Sequence, residues 1–177
     1  MAKNTYLWLG ILGLIWGSSF LFIKLGVNEM PPAFVAGGRL VSGFLFLLLA
    51  LRVQRRSLPR RQLLGKLAMV ALLNNTIPWV LIPWGEQHIS SAMASILNAT
   101  MPIFTVLIAH VATRDDRLTW LKLSGVILGF IGVVVLIGPD LRDVTSASAL
   151  GDAAVLLASV SYALGAIYAR RHLRGDR

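Results

Sequence analysis

The chain has 177 residues, 56% of them hydrophobic and 14% charged, with a formal net charge of +9. Soluble domains carry roughly 25% charged residues, so this composition excludes an ordinary water-soluble globular protein. The absence of cysteine excludes disulfides, thiolate metal sites and thiol catalysis. The basic excess would point to nucleic acid in a soluble chain, but here it is confined to particular connections and no nucleic-acid partner is expected.

Six apolar spans are predicted, at 5–26, 32–51, 63–84, 91–111, 119–138 and 150–169. Each is close to the ~20 residues that a helix needs to cross a hydrocarbon core of ~30 Å. Backbone groups inside lipid must pair within their own segment, so these runs are predicted helices. A β-barrel would alternate polar and apolar residues, and "GVILGFIGVVVLIG" does not. The expected fold class is therefore an all-α polytopic membrane bundle.

Span one follows Lys3 and superficially resembles a signal peptide. It is longer than a typical signal core, and no small-residue cleavage site precedes Lys24. Trp16, Ser18 and Ser19 stand near its middle and are candidates to line a cavity, whereas Lys24 suits either a cavity or a snorkel to the outer interface. Span two opens on Pro31 and Pro32 and carries Arg39 well inside its apolar run. An intramembrane cation faces a partner or a cavity, so Arg39 is read either as a structural partner of carbonyls or of Glu86, or as a substrate group.

Spans three and four share a motif. "NNTIP" occupies 74–78 and "NATMP" occupies 98–102, 24 residues apart. Proline lacks the N–H that would bond the carbonyl four residues back, and that position is Asn74 for Pro78 and Asn98 for Pro102. Broken, polar helix at mid-membrane marks binding sites in transporters, while the plainer reading is a proline kink with polar neighbours. On the cavity reading, Asn74, Trp79, Asn98 and Thr100 join Trp16 and Ser19 as lining residues, with Pro78 and Pro102 as the helix breaks. Both asparagines match a glycosylation pattern, which burial in the membrane makes irrelevant. Glu86, Gln87 and His88 close span three. Glu86 is a candidate coupling or ion-pair group with Arg39 and Lys24, set against a plain interfacial loop.

Small residues recur at packing spacings: Gly10, Gly13 and Gly17 in span one, Ser91, Ser95 and Ala99 in span four, and Gly125, Gly129 and Gly132 in span five. Such faces predict close helix contacts. Basic residues fall before span one, between spans two and three with Lys66 in the first turn of three, between four and five with Lys122 in the first turn of five, and after six; only Lys24, Arg39 and Arg142 lie elsewhere. The positive-inside rule then puts the N-terminus and the tail after span six in the cytoplasm. No glycine-rich phosphate loop, HExxH helix or nucleophile motif occurs, so neither an enzyme, a cofactor nor a metal is expected.

"WGSSFLFIK", "PPAFVAGGRL", "HISSAMASILNATMPIFTVLIA" and "LSGVILGFIGVVVLIGP" follow one another along about residues 5–139. Together they resemble the EamA-type transporters of the drug/metabolite transporter superfamily. That resemblance implies ten helices in two five-helix repeats of opposite orientation. It also implies alternating access in the inner membrane, small-metabolite or amino-acid-like substrates, and a site between the repeats. Residues 1–139 read as the first repeat, and 140–177 as a loop and the first helix of a truncated second one. Tyr162 and Arg170 repeat the eight-residue spacing of Trp16 and Lys24. "TRDDRLTW" stands where many members have "GE-x-L", so Asp115 or Asp116 takes the acidic place. A second reading is a non-transporting membrane module or scaffold that needs a partner or homodimerises; otherwise the partners are the bilayer and a small-molecule substrate.

Overall fold

The computed structural model describes residues 2–55, 58, 60–112, 119–137 and 146–173. All regular structure among them is helical. Helix α1 spans Ala2–Glu29 and α2 spans Pro32–Val53. The third segment combines a 3₁₀ turn at Arg61–Leu63, α3 at Leu64–Ala71, a π turn at Leu72–Thr76 and α4 at Ile77–Glu86. The fourth is split into α5, Ser91–Asn98, and α6, Met101–Ala112. Helices α7, Trp120–Ile137, and α8, Ser146–Leu173, complete the bundle. Among the described residues, five segments are long and apolar enough to cross a membrane: Thr5–Glu29, Pro32–Val53, Arg61–Glu86, Ser91–Ala112 and Ala147–Leu173. The fifth expected span is present as the 18-residue α7. Asp115 and Asp116 lie outside the described residues.

Helix α8 is the most buried of the five long segments and packs against α3, α4, α5 and α6. It runs antiparallel to the third segment. At one end Gly151 meets Gly85, and at the other Lys66 Nζ donates to the His172 carbonyl at 3.1 Å. The glycine contact is a backbone-on-backbone crossing. A Cβ on either residue would stand 2.9 Å from the other's carbonyl oxygen, closer than real Cβ atoms approach. Farther along, Gly165 receives the Asn74 side chain, which would lie 2.4 Å from a Cβ there. Above and between these contacts, Val155 packs with Ile89, Met93, Ala94 and Leu97, while Ala158 packs with Ile23, Val27 and Ile82.

The expected glycine faces behave differently. A Cβ on Gly10, Gly13, Gly17, Gly125 or Gly132 would meet nothing within 4 Å, and Gly129 makes only ordinary contact with Ile103. Among the described residues, the faces carrying Gly10, Gly13, Gly17, Gly125 and Gly132 are not closely approached by another helix. Close approach falls instead on Gly85 and Gly151, where two helix backbones cross, and on Gly165, which makes room for the Asn74 side chain.

The twin motifs deform their helices in opposite senses. In the first, the helix widens: the Ile77 N–H reaches back five residues to the Leu72 carbonyl. The next donor in that register would be Pro78, which has no N–H, so the Leu73 carbonyl is left over. Ser161 of α8 donates to it at 2.8 Å. In the second motif the helix tightens. The Thr100 N–H reaches back three residues to the Leu97 carbonyl at 3.1 Å, and the Thr100 hydroxyl donates to the same oxygen at 2.6 Å. The Ser159 hydroxyl shares its proton between Leu97 O, at 3.2 Å, and its own helix at Val155 O, at 3.1 Å.

Ser161→Ala should therefore lower stability by about 1–2 kcal/mol, because the Leu73 carbonyl loses its donor where water is scarce. Gly151→Leu should cost more, since two backbones must separate. Unfolding in mixed micelles of rising SDS content measures both. Unchanged midpoints would show that α8 is not held by these contacts.

Candidate functional site

The π turn, the α5–α6 break and α8 converge on one cavity of about 310 Å³. Ile15, Trp16, Ser19, Phe20 and Ile23 line it from α1, and Arg39 from α2. Asn74 and Asn75 line it from the π turn, Trp79 and Ile82 from α4, Asn98 from α5 and Tyr162 from α8. Trp16 and Asn74 stand near the middle of their spans, so the cavity lies at mid-depth. A π turn inserts an extra residue into the helix, and here two consecutive asparagines border the same space.

Arg39 is the only charged residue in this lining. Its guanidinium lies 4.5 Å from the centroid of the Trp79 ring, and its Nη2 donates to Ser19 Oγ at 3.3 Å. Stacking on an indole face offsets part of the cost of holding this cation away from water. Asn98 contributes an unusual atom: its Oδ1 is buried and accepts no hydrogen bond.

Of the residues expected from sequence to line a cavity, Trp16, Ser19, Asn74, Trp79 and Asn98 are brought together here, with Arg39 beside them. Thr100 is not among them. It is 5% exposed, and its hydroxyl is turned back onto the Leu97 carbonyl. Pro78 is buried behind the lining, whereas Pro102 is exposed at the start of α6.

Glu86 and Lys24 form a separate arrangement at the end of α4. Glu86 is fully buried and neither carboxylate oxygen has a hydrogen-bond partner, though Lys24 and Arg39 are near enough to act on it electrostatically. The Lys24 ammonium donates to the main-chain carbonyls of Glu86 and Ile89, the latter at 2.9 Å. Lys24 thus caps the end of α4, a role for which a cation beside exposed helix carbonyls is suited, and makes no hydrogen bond to the carboxylate. His88 is exposed, with its ring 4.7 Å from that of Trp84.

Sequence reasoning passed over Asn75, the apolar lining residues and Tyr162 as cavity residues. Tyr162 had a readable signal. It matches Trp16 in the repeated eight-residue spacing, and both rings border the cavity. Asn75 had none, because its placement depends on the π register.

Residues 3–138 match the EamA-like transporter family. The chain belongs to that family. It is 28% identical over 165 residues to the uncharacterized transporter YoaV of Bacillus subtilis, covering 92% of this chain and 56% of that protein. It is 29% identical over 163 residues to the uncharacterized inner membrane transporter YedA of Escherichia coli K12, covering 90% and 51%. A probable terminal-alkyne amino-acid exporter of Streptantibioticus cattleyicolor is 30% identical over 176 residues, covering 96% and 58%. The chain thus spans about half the length of these relatives. No solved structure matches it. Family membership and the five apolar spans make this a multi-pass membrane protein.

Lys24→Met should loosen the end of α4. With no native cysteine, a single Ile89→Cys reporter has no background, and Ile89 is only 7% exposed. Maleimide labelling at that position should rise severalfold in Lys24→Met, while labelling at Leu128→Cys, exposed on α7, stays constant. Equal labelling of Ile89→Cys with and without Lys24 would remove the capping role.

Proposed function

We propose that this chain supplies one wall of the substrate path in an inner-membrane exporter of small metabolites, amino-acid-like compounds among them, working by alternating access. The observation that carries the reading is the convergence of Trp16, Ser19, Asn74, Trp79 and Asn98 on one mid-depth cavity with a single cation. A cavity lined by aromatic rings and a few polar groups is the usual form of a small-molecule site. Broken helices at mid-membrane are the usual place for one in transporters. The name of the Streptantibioticus relative supports an amino-acid-like cargo.

On this reading residues 1–139 are the first repeat and 140–177 the loop and first helix of a second, whose remainder closes the cavity. The family match over 3–138 supports the division. The basic residues in the connection between α2 and α3 and after α8 support a cytoplasmic N-terminus and tail.

Asn98→Ala is the cleanest test, because Asn98 Oδ1 has no internal partner to lose. The substitution should leave the SDS unfolding midpoint within about 0.5 kcal/mol of wild type, as surface-like changes do. Efflux by the full-length protein in everted vesicles should fall about tenfold, the effect of losing one substrate hydrogen bond of about 1.4 kcal/mol. Unaltered efflux from both Asn98→Ala and Trp16→Ala would sink the cavity assignment.

A further inference from the structure

We infer that a second cavity, where α6, α7 and α8 meet, holds the head group of an anionic phospholipid, with Lys122 and Arg170 on its phosphate. This needs only the placement of these helices in a membrane and does not depend on the transport reading.

This cavity has a volume of about 210 Å³. Lys122 borders it from the first turn of α7 and Arg170 from the last turn of α8. Both therefore stand at the ends of apolar helices, where a span leaves the hydrocarbon. Ala166 and Ile167 lie about one turn, or ~5.4 Å, farther in along α8, and with Val106 of α6 they make an apolar wall. The cavity is thus cationic at its rim and apolar below. A phospholipid has the same order, with a phosphate above its glycerol and acyl chains. Long basic side chains lay their stems along apolar surface and carry their charge to the interface, and basic pockets between membrane helices suit anionic head groups.

The rest of the lining narrows the ligand. Among the described residues no acid borders the cavity. The connection from α6 to α7 carries Arg114 and Arg117 against Asp115 and Asp116, so in sum it does not cancel Lys122 and Arg170. The Thr105 hydroxyl donates to the Met101 carbonyl of its own helix at 2.9 Å. The donors for a phosphate are then the ammonium and the guanidinium, which carry three and five N–H groups. A soluble phosphate would meet the same charges but would leave the apolar wall unused. A phosphate that carries a glycerol and acyl chains uses both. The volume suits the phosphate and glycerol, and the chains then lie in the bilayer outside. One phosphate held by both cations ties the start of α7 to the end of α8.

The test uses the full-length protein in neutral detergent micelles. Native mass spectrometry compares the retention of phosphatidylglycerol with that of phosphatidylcholine of the same acyl chains. Wild type should hold phosphatidylglycerol about tenfold more tightly. Lys122→Gln combined with Arg170→Gln should erase that preference. Arg60→Gln combined with Arg61→Gln removes the same charge from the connection between α2 and α3 and should preserve it. Val106→Phe fills the cavity, keeps every charge and should weaken phosphatidylglycerol about tenfold; where that variant does not fold, the two charge pairs decide. Inorganic phosphate in millimolar excess should not displace the lipid. The assignment is overturned if wild type shows no preference, if both charge pairs lose it equally, or if folded Val106→Phe keeps it. Displacement by inorganic phosphate would remove the lipid as occupant.

Discussion

A backbone carbonyl inside a membrane must find a donor, and proline removes one. The architecture turns on how the two proline motifs meet that requirement. Neither relies on its own helix alone. The Leu73 carbonyl, orphaned by the π turn, takes the Ser161 hydroxyl, and the Leu97 carbonyl adds Ser159 to its donors from Thr100. Both serines lie on α8. The breaks in the third and fourth segments therefore act as sockets for a later helix, and the crossing of Gly85 with Gly151 brings that helix close enough to reach them.

The cavity is a consequence of the same breaks. With the main-chain carbonyls served by α8, the amide of Asn98 keeps a free acceptor. Asn74 is shared, because it rests against Gly165 and also borders the cavity. Arg39 is held from outside this system, by Ser19 of α1 and the face of Trp79. Weak, directed contacts of this kind orient a cation without neutralising it, unlike a buried ion pair, whose charges satisfy one another. Lys24 shows the contrasting case. Its charge is spent on two carbonyls at a helix end, and it contributes nothing to the cavity lining.

Much of this was legible in the sequence, for physical reasons. Helix positions followed from the length of apolar runs, and the cavity from polar residues placed where lipid would penalise them. Lys24 and Arg39, two intramembrane cations of equal prominence in the sequence, parted in the structure because only one lies level with an uncapped helix end. Thr100 was misplaced for a related reason: a hydroxyl beside a tight turn prefers the nearby carbonyl to an open space. The glycine stripes misled because small-residue spacing reports a face that can be approached, and does not say which helix approaches it. The widening of one proline motif and the tightening of the other were also hidden. Both carry the same N-x-T-x-P pattern, and the difference depends on where α8 offers its hydroxyls.

The placement of those hydroxyls also imposes an order in time. Ser161 follows Leu73 by 88 residues and Ser159 follows Leu97 by 62. At about 5–20 residues per second, ribosomal synthesis makes the Leu73 carbonyl wait roughly 4–18 seconds for its partner. Throughout that interval the third segment is already made, while the Ser161 hydroxyl that serves its Leu73 carbonyl is not. The nascent bundle must bridge the gap with water, lipid headgroups or the insertion machinery, and the arrival of α8 ends it.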